Sequence, residues 1–195
     1  ILSVHVSAKL SGTINSAEQA IKSLDTNKIK IVDTGTASMA QGLVAMSAAR
    51  AAKSAKSLGE LADMAETTAK KTNVYVAMDT MEFLKRGGRI GKARAMLGSI
   101  LNIKPIITTD NGEIVPHSRA RTIKKAISSM INDMGDKDQI VEVAVLHSTT
   151  PDLAKDVLTQ IDAQNLNNPG TITEIGPVVG THAGPGCLAI AYTTK

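Results

Sequence analysis

A short glycine-rich stretch near the end of the sequence carries two side chains that can do chemistry, Thr181 and His182. Glycine and proline are so dense over residues 180–186 that the stretch predicts a turn between two apolar runs, not the interior of a helix or strand. A hydroxyl, an imidazole and exposed backbone N–H groups together suit a small anionic group. A plain turn with an incidental histidine explains the spacing equally well. The glycines of this stretch are Gly180, Gly184 and Gly186.

A second polar stretch follows the first apolar run of the chain. Ser11, Gly12 and Thr13 come after a predicted strand at residues 1–6 and directly before a predicted helix. The first turn of a helix has free N–H groups and the positive end of the helix dipole, and both favour an anion. The same hydroxyls could instead cap the helix, and the two roles are compatible.

A cluster of cations lies in the middle of the sequence. Lys85, Arg86, Arg89, Lys92 and Arg94 place five positive charges within ten residues. A solvated basic face is the ordinary explanation of such a run. Arg89 differs because glycines lie on both sides of it, which leaves its guanidinium free to be aimed at a carboxylate or phosphate.

The hydroxyl, imidazole and basic residues are also compatible with an enzyme. A small hydrolase or acyltransferase would use Ser7 or Ser11 as nucleophile with His182, and Asp33 or Asp79 as a third member. The sequence has no Gly-x-Ser-x-Gly elbow to support it. A nucleotide or phosphate enzyme would use the basic cluster, yet neither a Walker-type loop nor a dinucleotide fingerprint in its proper context is present.

Composition limits the remaining classes of protein. The chain has 195 residues, a net charge of +4, no Trp, one Phe and two Tyr, so base-stacking surfaces are scarce and nucleic-acid binding is disfavoured. A single cysteine, Cys187, excludes an intrachain disulfide and a zinc-binding cysteine cluster. No apolar run approaches the roughly 20 residues of a membrane span. We expect a cytoplasmic protein without stable membrane insertion and without a metal or cofactor.

The first part of the chain, residues 1–73, has the pattern of a parallel α/β layer. Predicted strands at 1–6 and 29–33 alternate with helices, and the carboxyl ends of such strands bring their loops, 7–13 and 34–36, together. Because the first strand starts at once, we expect this lobe to lack part of its sheet. The helices are predicted over 14–24, 37–56 and 58–71.

The pattern changes in residues 74–195. Asn111-Gly112 between two apolar runs is a strong hairpin signal, so this second lobe is predicted to contain a mostly antiparallel sheet. Further helices are predicted over 93–101 and 151–165, and further strands over 74–78, 140–146, 171–175 and 187–192.

Four blocks of the sequence together resemble the DegV family. They are Ser11-Gly12-Thr13, residues 83–91, residues 103–112 and residues 180–186, in that order and across essentially the whole chain. DegV proteins are bacterial fatty-acid-binding proteins and include the binding subunits of fatty acid kinase. The chain departs from the family pattern in lacking the Thr-Ser-x-Pro-Ser block, and in having Ser7-Ala8 where Ser-Ser is frequent.

The resemblance implies a two-domain α/β fold with a long-chain fatty acid between the lobes. By motif position, Ser11 and His182 would hold the carboxylate, with Thr181 and Arg89 as further polar support. Gly12, Thr13 and the glycines of residues 180–186 would form the site loops. The resemblance also implies that the chain is not itself an enzyme: a separate kinase subunit would phosphorylate the presented carboxylate to an acyl-phosphate. The side chains that would meet that kinase are Lys85, Arg86 and Arg89.

Overall fold

Two parallel strands form a small sheet at the start of the chain. In the computed structural model, which describes residues 1–24, 26–97, 103–162 and 169–195, β1 (Leu2–His5) pairs in register with β2 (Lys30–Asp33). The helix α1 (Thr13–Leu24) connects them. Two helices follow, α2 (Ser38–Ala51) and α3 (Leu58–Lys70). This is the strand–helix alternation that the sequence predicted for a parallel layer.

A larger sheet of six strands occupies the rest of the chain, in the order β5-β4-β3-β8-β6-β7. Every neighbouring pair in it is antiparallel except β6 and β7, so the predicted α/β fold with a mostly antiparallel second sheet is confirmed. The strands are β3 (Thr72–Ala77), β4 (Lys104–Asp110), β5 (Glu113–Ala120), β6 (Ile140–His147), β7 (Thr171–Glu174) and β8 (Leu188–Thr194).

The hairpin between β4 and β5 forms where it was predicted. Asn111 and Gly112 both have positive φ, 47° and 82°, as a two-residue turn between twisted strands requires.

The two faces of the large sheet serve different layers. One face, which carries Val145 and Ile190, packs against α5 (Ile123–Asp133) and α6 (Pro151–Asp162). The opposite face packs against α2 and the short helices α4 (Glu82–Arg86) and α7 (Pro177–Ala183).

The helix α2 lies between the two sheets. Its residues Ala40 and Leu43 belong to the core on the large sheet, whereas Val44 and Ala48 pack with Val32 of the small sheet. Side chains on different sides of one Ala-rich helix therefore join the two parts of the chain.

Several sequence predictions need correction. Residues 180–183 are helical, because Pro177 opens α7 at its first turn and Gly184, with φ of 76°, ends it. The helix predicted over 37–56 ends at Ala51. The segment predicted to be helical from 93 is a 3₁₀ turn over Gly91–Met96. The remaining parts of the predictions over 93–101 and 151–165 fall partly on residues 98–101 and 163–165, outside the described residues.

Candidate functional site

A cavity of about 430 Å³ lies between the large sheet and the elements at the start of the chain. Four strands supply its apolar floor: β3, β4, β6 and β8. The floor side chains are Val74, Val76, Ile107, Leu146 and Ala189. Val6, at the end of β1, and Leu10 line it from the small-sheet side. An apolar molecule fits such a lining better than a polar one does.

Four of the predicted site residues line the same cavity: Ser11, Thr13, Arg89 and His182. They come from three places that are distant in sequence: the β1–α1 loop with the first residue of α1, the turn after α4, and α7. The structure therefore brings together hydrogen-bond donors that the sequence placed in separate blocks.

Ser11 and Thr13 form a local pair at the start of α1. Their hydroxyl oxygens are 2.6 Å apart, and the Thr13 N–H donates to Ser11 Oγ at 3.3 Å. The capping role and the position on the cavity thus coexist, as the sequence allowed. Gly12 between them is exposed, and no atom outside its chain neighbours lies within 4 Å of where its Cβ would be.

Arg89 connects two of the elements that surround the cavity. Its Nε donates to the Leu10 carbonyl at 3.2 Å, and its Nη1 donates to the Gly87 carbonyl at 2.9 Å. The first bond holds the β1–α1 loop, which carries Ser11, against the turn after α4. The guanidinium is thereby bound to the residue that precedes Ser11.

His182 lies on α7 and is one of the residues that line the cavity. Its Nδ1 is buried and has no hydrogen-bond partner among the described residues. A buried ring nitrogen without a partner is uncommon, because losing water without a replacement bond costs free energy.

Other predicted site residues do not line the cavity. Thr181 is exposed, and its hydroxyl donates to the Pro177 carbonyl at 2.8 Å, one turn earlier in α7. Gly180 lies inside the helix. Gly184 and Gly186 have positive φ, and side chains there would overlap the neighbouring Phe83 and Asp79 respectively. These last two glycines shape the end of α7 and the approach to β8.

Of the groups in the hydrolase alternative, Ser11 and His182 line the cavity, whereas the others have different partners. Ser7 is fully buried and donates to the Gly112 carbonyl at 2.7 Å. Asp33 accepts from backbone N–H groups of the two neighbouring loops, and Asp79 pairs with Lys104 at 2.6 Å. Within the described residues no hydrogen bond or ion pair joins either carboxylate to His182, so neither is placed as the third member that the hydrolase alternative would use.

The two loops that were expected to adjoin do so. The Ser7 N–H donates to the Thr36 carbonyl at 2.8 Å. Thr36 and Ser38, at the start of α2, also line the cavity, and Ser38 has a positive φ of 57°, which is unusual for a residue with a side chain. Neither residue was predicted from the sequence to belong to the site, although the predicted proximity of loops 7–13 and 34–36 indicated this region.

Cys187 is a further cavity residue that was not predicted from the sequence to belong to the site. It is fully buried, and burial, with a smaller effect of Asp79, raises the pKa of its thiol to about 12. The thiol is therefore protonated at neutral pH and contributes apolar surface.

The basic cluster contains cations in ion pairs and cations exposed to solvent, and Arg86 is both. Arg86 pairs with Glu82 at 2.9 Å, and Lys92 pairs with Glu113 at 3.4 Å. Lys85 and Arg86 are exposed on α4. Arg89, which lines the cavity, follows Arg86 by three positions.

The protein family described as "Uncharacterised protein, DegV family" matches this chain over residues 1–195. This chain belongs to the DegV family. A DegV domain-containing protein of Clostridium acetobutylicum is 37% identical over 202 residues, covering 100% of this chain and 70% of the relative. A fatty-acid-binding DegV family protein from Thermus thermophilus superposes with a TM-score of 0.92 at 33% identity, covering 100% of this chain and 70% of that one. DegV of Bacillus subtilis, a fatty acid binding protein, gives 0.86 at 33% identity with the same coverage.

Two further observations concern the described part of the DegV chain. None of its helices is both long and apolar enough to cross a membrane. In the same ranges, no three His, Cys, Asp or Glu side chains group in a way that could hold a metal ion.

Proposed function

We propose that this DegV protein binds a long-chain fatty acid in the cavity and presents its carboxylate to a separate fatty acid kinase subunit. The observation that carries the proposal is the combination in one cavity of an apolar floor with Ser11, Arg89 and His182. The fatty acid binding of its relatives from Thermus thermophilus and Bacillus subtilis supports the same ligand class.

The physical requirements of such a ligand match the lining. Each buried methylene contributes about 0.8 kcal/mol, so a long acyl chain over the sheet provides a large driving force. A buried carboxylate costs several kcal/mol unless donors replace its water. The Ser11 hydroxyl, the Arg89 guanidinium and an N–H of His182 are such donors.

The position of the cavity also supports a binding role between two lobes. We assign residues 1–73 and 74–195 to these lobes, which contain the small sheet and nearly all of the large sheet respectively, since β3 begins two residues before this boundary. Lining residues come from both, for example Val6 and Ser11 from the first and Val76 and Ala189 from the second. A ligand held there would contact both parts of the chain.

The outward-facing cations next to the cavity support a partner surface. Lys85 and Arg86 are exposed and lie within four residues of Arg89 in the sequence, so a protein that approaches them also approaches the proposed carboxylate site. We assign these cations to contact with the kinase, whose use of ATP implies a cytoplasmic location, and we assign the protein a role in lipid transport or fatty acid metabolism.

Calorimetric titration of the delipidated protein with palmitate tests the binding proposal. We expect saturable binding with a single site, and at least a tenfold loss of affinity in His182→Ala, since a removed donor to a charged group costs about 1.5–3 kcal/mol. His117→Ala is the matched control, because His117 pairs with Asp133 on the opposite face of the large sheet. Equal affinity of the parent and His182→Ala would remove His182 from the site, and absence of binding by the parent would reject the ligand class.

The kinase role needs a separate experiment. The purified protein, loaded with palmitate, is mixed with ATP and the fatty acid kinase subunit of its own source organism, and acyl-phosphate is trapped with hydroxylamine. We expect a Lys85→Glu/Arg86→Glu variant to bind palmitate normally but to lose most of the product. A Lys124→Glu/Lys125→Glu variant on α5 is the control for charge. No product with the parent protein would contradict presentation while leaving fatty acid binding intact.

A further inference from the structure

Gly87, the residue that ends α4, lies directly against the imidazole of His182. A Cβ placed on Gly87 would overlap His182 Nδ1 and would be only 2.6 Å from its Cε1. Both distances are below those that real Cβ atoms show, so position 87 must lack a side chain for the ring to remain where it is.

The backbone at this position gives no other reason for glycine. Gly87 has φ of −74° and ψ of −4°, an ordinary right-handed helical conformation that any residue adopts. The next residue, Gly88, differs: its φ is +69°, and no atom lies within 4 Å of where its Cβ would be. Thus Gly88 is explained by the turn and Gly87 by the contact with the ring.

Gly87 also binds Arg89, the second side chain that we propose as a donor to the ligand carboxylate. The Gly87 carbonyl accepts from Arg89 Nη1 at 2.9 Å, and its N–H donates to the Phe83 carbonyl at 2.9 Å, which fixes this peptide to α4. His182 Nδ1 has no hydrogen-bond partner among the described residues, so packing on Gly87 restrains the ring where a hydrogen bond would otherwise do so.

We propose that Gly87 is a positioning residue for the ligand headgroup, orienting the His182 ring by its bare Cα and the Arg89 guanidinium by its carbonyl. It does not itself touch the ligand. The inference rests on the proposed function, because it assigns to Gly87 the alignment of two donors toward one carboxylate. A methyl group at position 87 must push the ring away and separate the donors.

The first test is calorimetric titration of Gly87→Ala with palmitate. We expect affinity at least tenfold below that of the parent, and an unchanged affinity for Gly59→Ala in α3, where an added Cβ meets its nearest atoms at an ordinary 3.6 Å. The double variant Gly87→Ala/His182→Ala is decisive. Without the ring the methyl group has space, so the double variant should bind within about twofold of His182→Ala alone.

The second measurement observes the ring itself by ¹⁵N–¹H correlation spectra of the histidine side chains. Gly87→Ala should shift the His182 resonances and leave those of the other three histidines in place. Equal palmitate affinity of the parent and Gly87→Ala overturns the inference alone, as does a further tenfold loss in the double variant or an unmoved His182 signal. Absence of binding by the parent contradicts the proposed function as well, so the two failures are distinguishable.

Discussion

Ala189 lies on the floor of the cavity. Replacing it with a larger side chain should make the chain more stable to unfolding and weaken its binding of long fatty acids. In the register of the sheet it pairs with Val76 of β3 on one side and Leu146 of β6 on the other, and all three line the cavity. Ala189→Leu adds three carbon atoms to the space proposed for the acyl tail.

The expected loss of affinity follows from the number of tail methylenes that the added carbon atoms displace. At about 0.8 kcal/mol for each buried methylene, displacing three methylenes costs about 2.4 kcal/mol, which is about 50-fold in affinity. In the empty protein the added carbons of Ala189→Leu gain contacts with the floor, so the free energy of unfolding should rise. A shorter acid, decanoate, reaches less of the floor and should lose little.

Calorimetric titration with palmitate and decanoate, together with thermal unfolding of the ligand-free protein, measures both effects. Ala191→Leu is the matched control, because Ala191 is fully buried on the same face of β8 but is not among the residues that line the cavity. Overpacking there should cost about 1–3 kcal/mol of stability without any dependence of binding on chain length. Unchanged palmitate affinity in Ala189→Leu, or a lowered unfolding temperature, would refute the placement of the tail on this floor.

Three further predictions concern other parts of the molecule. Gly112→Ala and Gly135→Ala both place a side chain at positive φ, +82° and +75°, but only at Gly112 does the Cβ meet a buried hydroxyl, at 2.7 Å. Urea unfolding should therefore show a loss in the free energy of unfolding that is about 1–3 kcal/mol greater for Gly112→Ala. The positive charge of Lys9, with a smaller effect of Lys92, holds the pKa of Glu113 below 4.5. The stability difference between the parent and Glu113→Gln should therefore persist above pH 4.5 and vanish as the pH falls through the lowered pKa. Burial raises the pKa of the Cys187 thiol to about 12, so a thiol reagent at mildly alkaline pH should label it only after unfolding.

Each of these has a clear contrary outcome. Equal losses for the two glycine variants would mean that the hairpin tip does not pack as described. A stability difference for Glu113→Gln that persists in strong acid, or that high salt leaves untouched, would exclude the ion pair as its source. Rapid labelling of Cys187 in the native protein would place the thiol in contact with solvent.

The parts of the fold that follow from local chemistry were predictable. Asn111-Gly112 specifies a tight hairpin because both positions need positive φ, and the hairpin is there. Ser11-Gly12-Thr13 after an apolar strand indicated a helix start, and α1 begins at Thr13. In both cases neighbouring residues in the sequence contain the whole physical cause.

The stretch over residues 180–186 shows where local signals mislead. Its glycines predicted a turn, yet Gly180 lies within α7, since a helix tolerates one glycine at a cost of about 1 kcal/mol. Pro177 at the helix start and Gly184 after its end were the better signals. The helical conformation decides the site, because it directs Thr181 outward while His182 lines the cavity.

Long-range contacts could not be read from the sequence. Gly87 and His182 are 95 positions apart, and only the fold shows that one needs the absence of a side chain to accommodate the other. The cavity floor likewise depends on β8 lying between β3 and β6, a strand order that no local pattern specifies.

The most direct test of the central claim is mass spectrometry of lipid extracted from the purified protein, with His182→Ala prepared in parallel. We expect a single long-chain fatty acid for each chain of the parent and little or none in the variant. Parent protein that carries no fatty acid, and takes up none when palmitate is supplied, would contradict it.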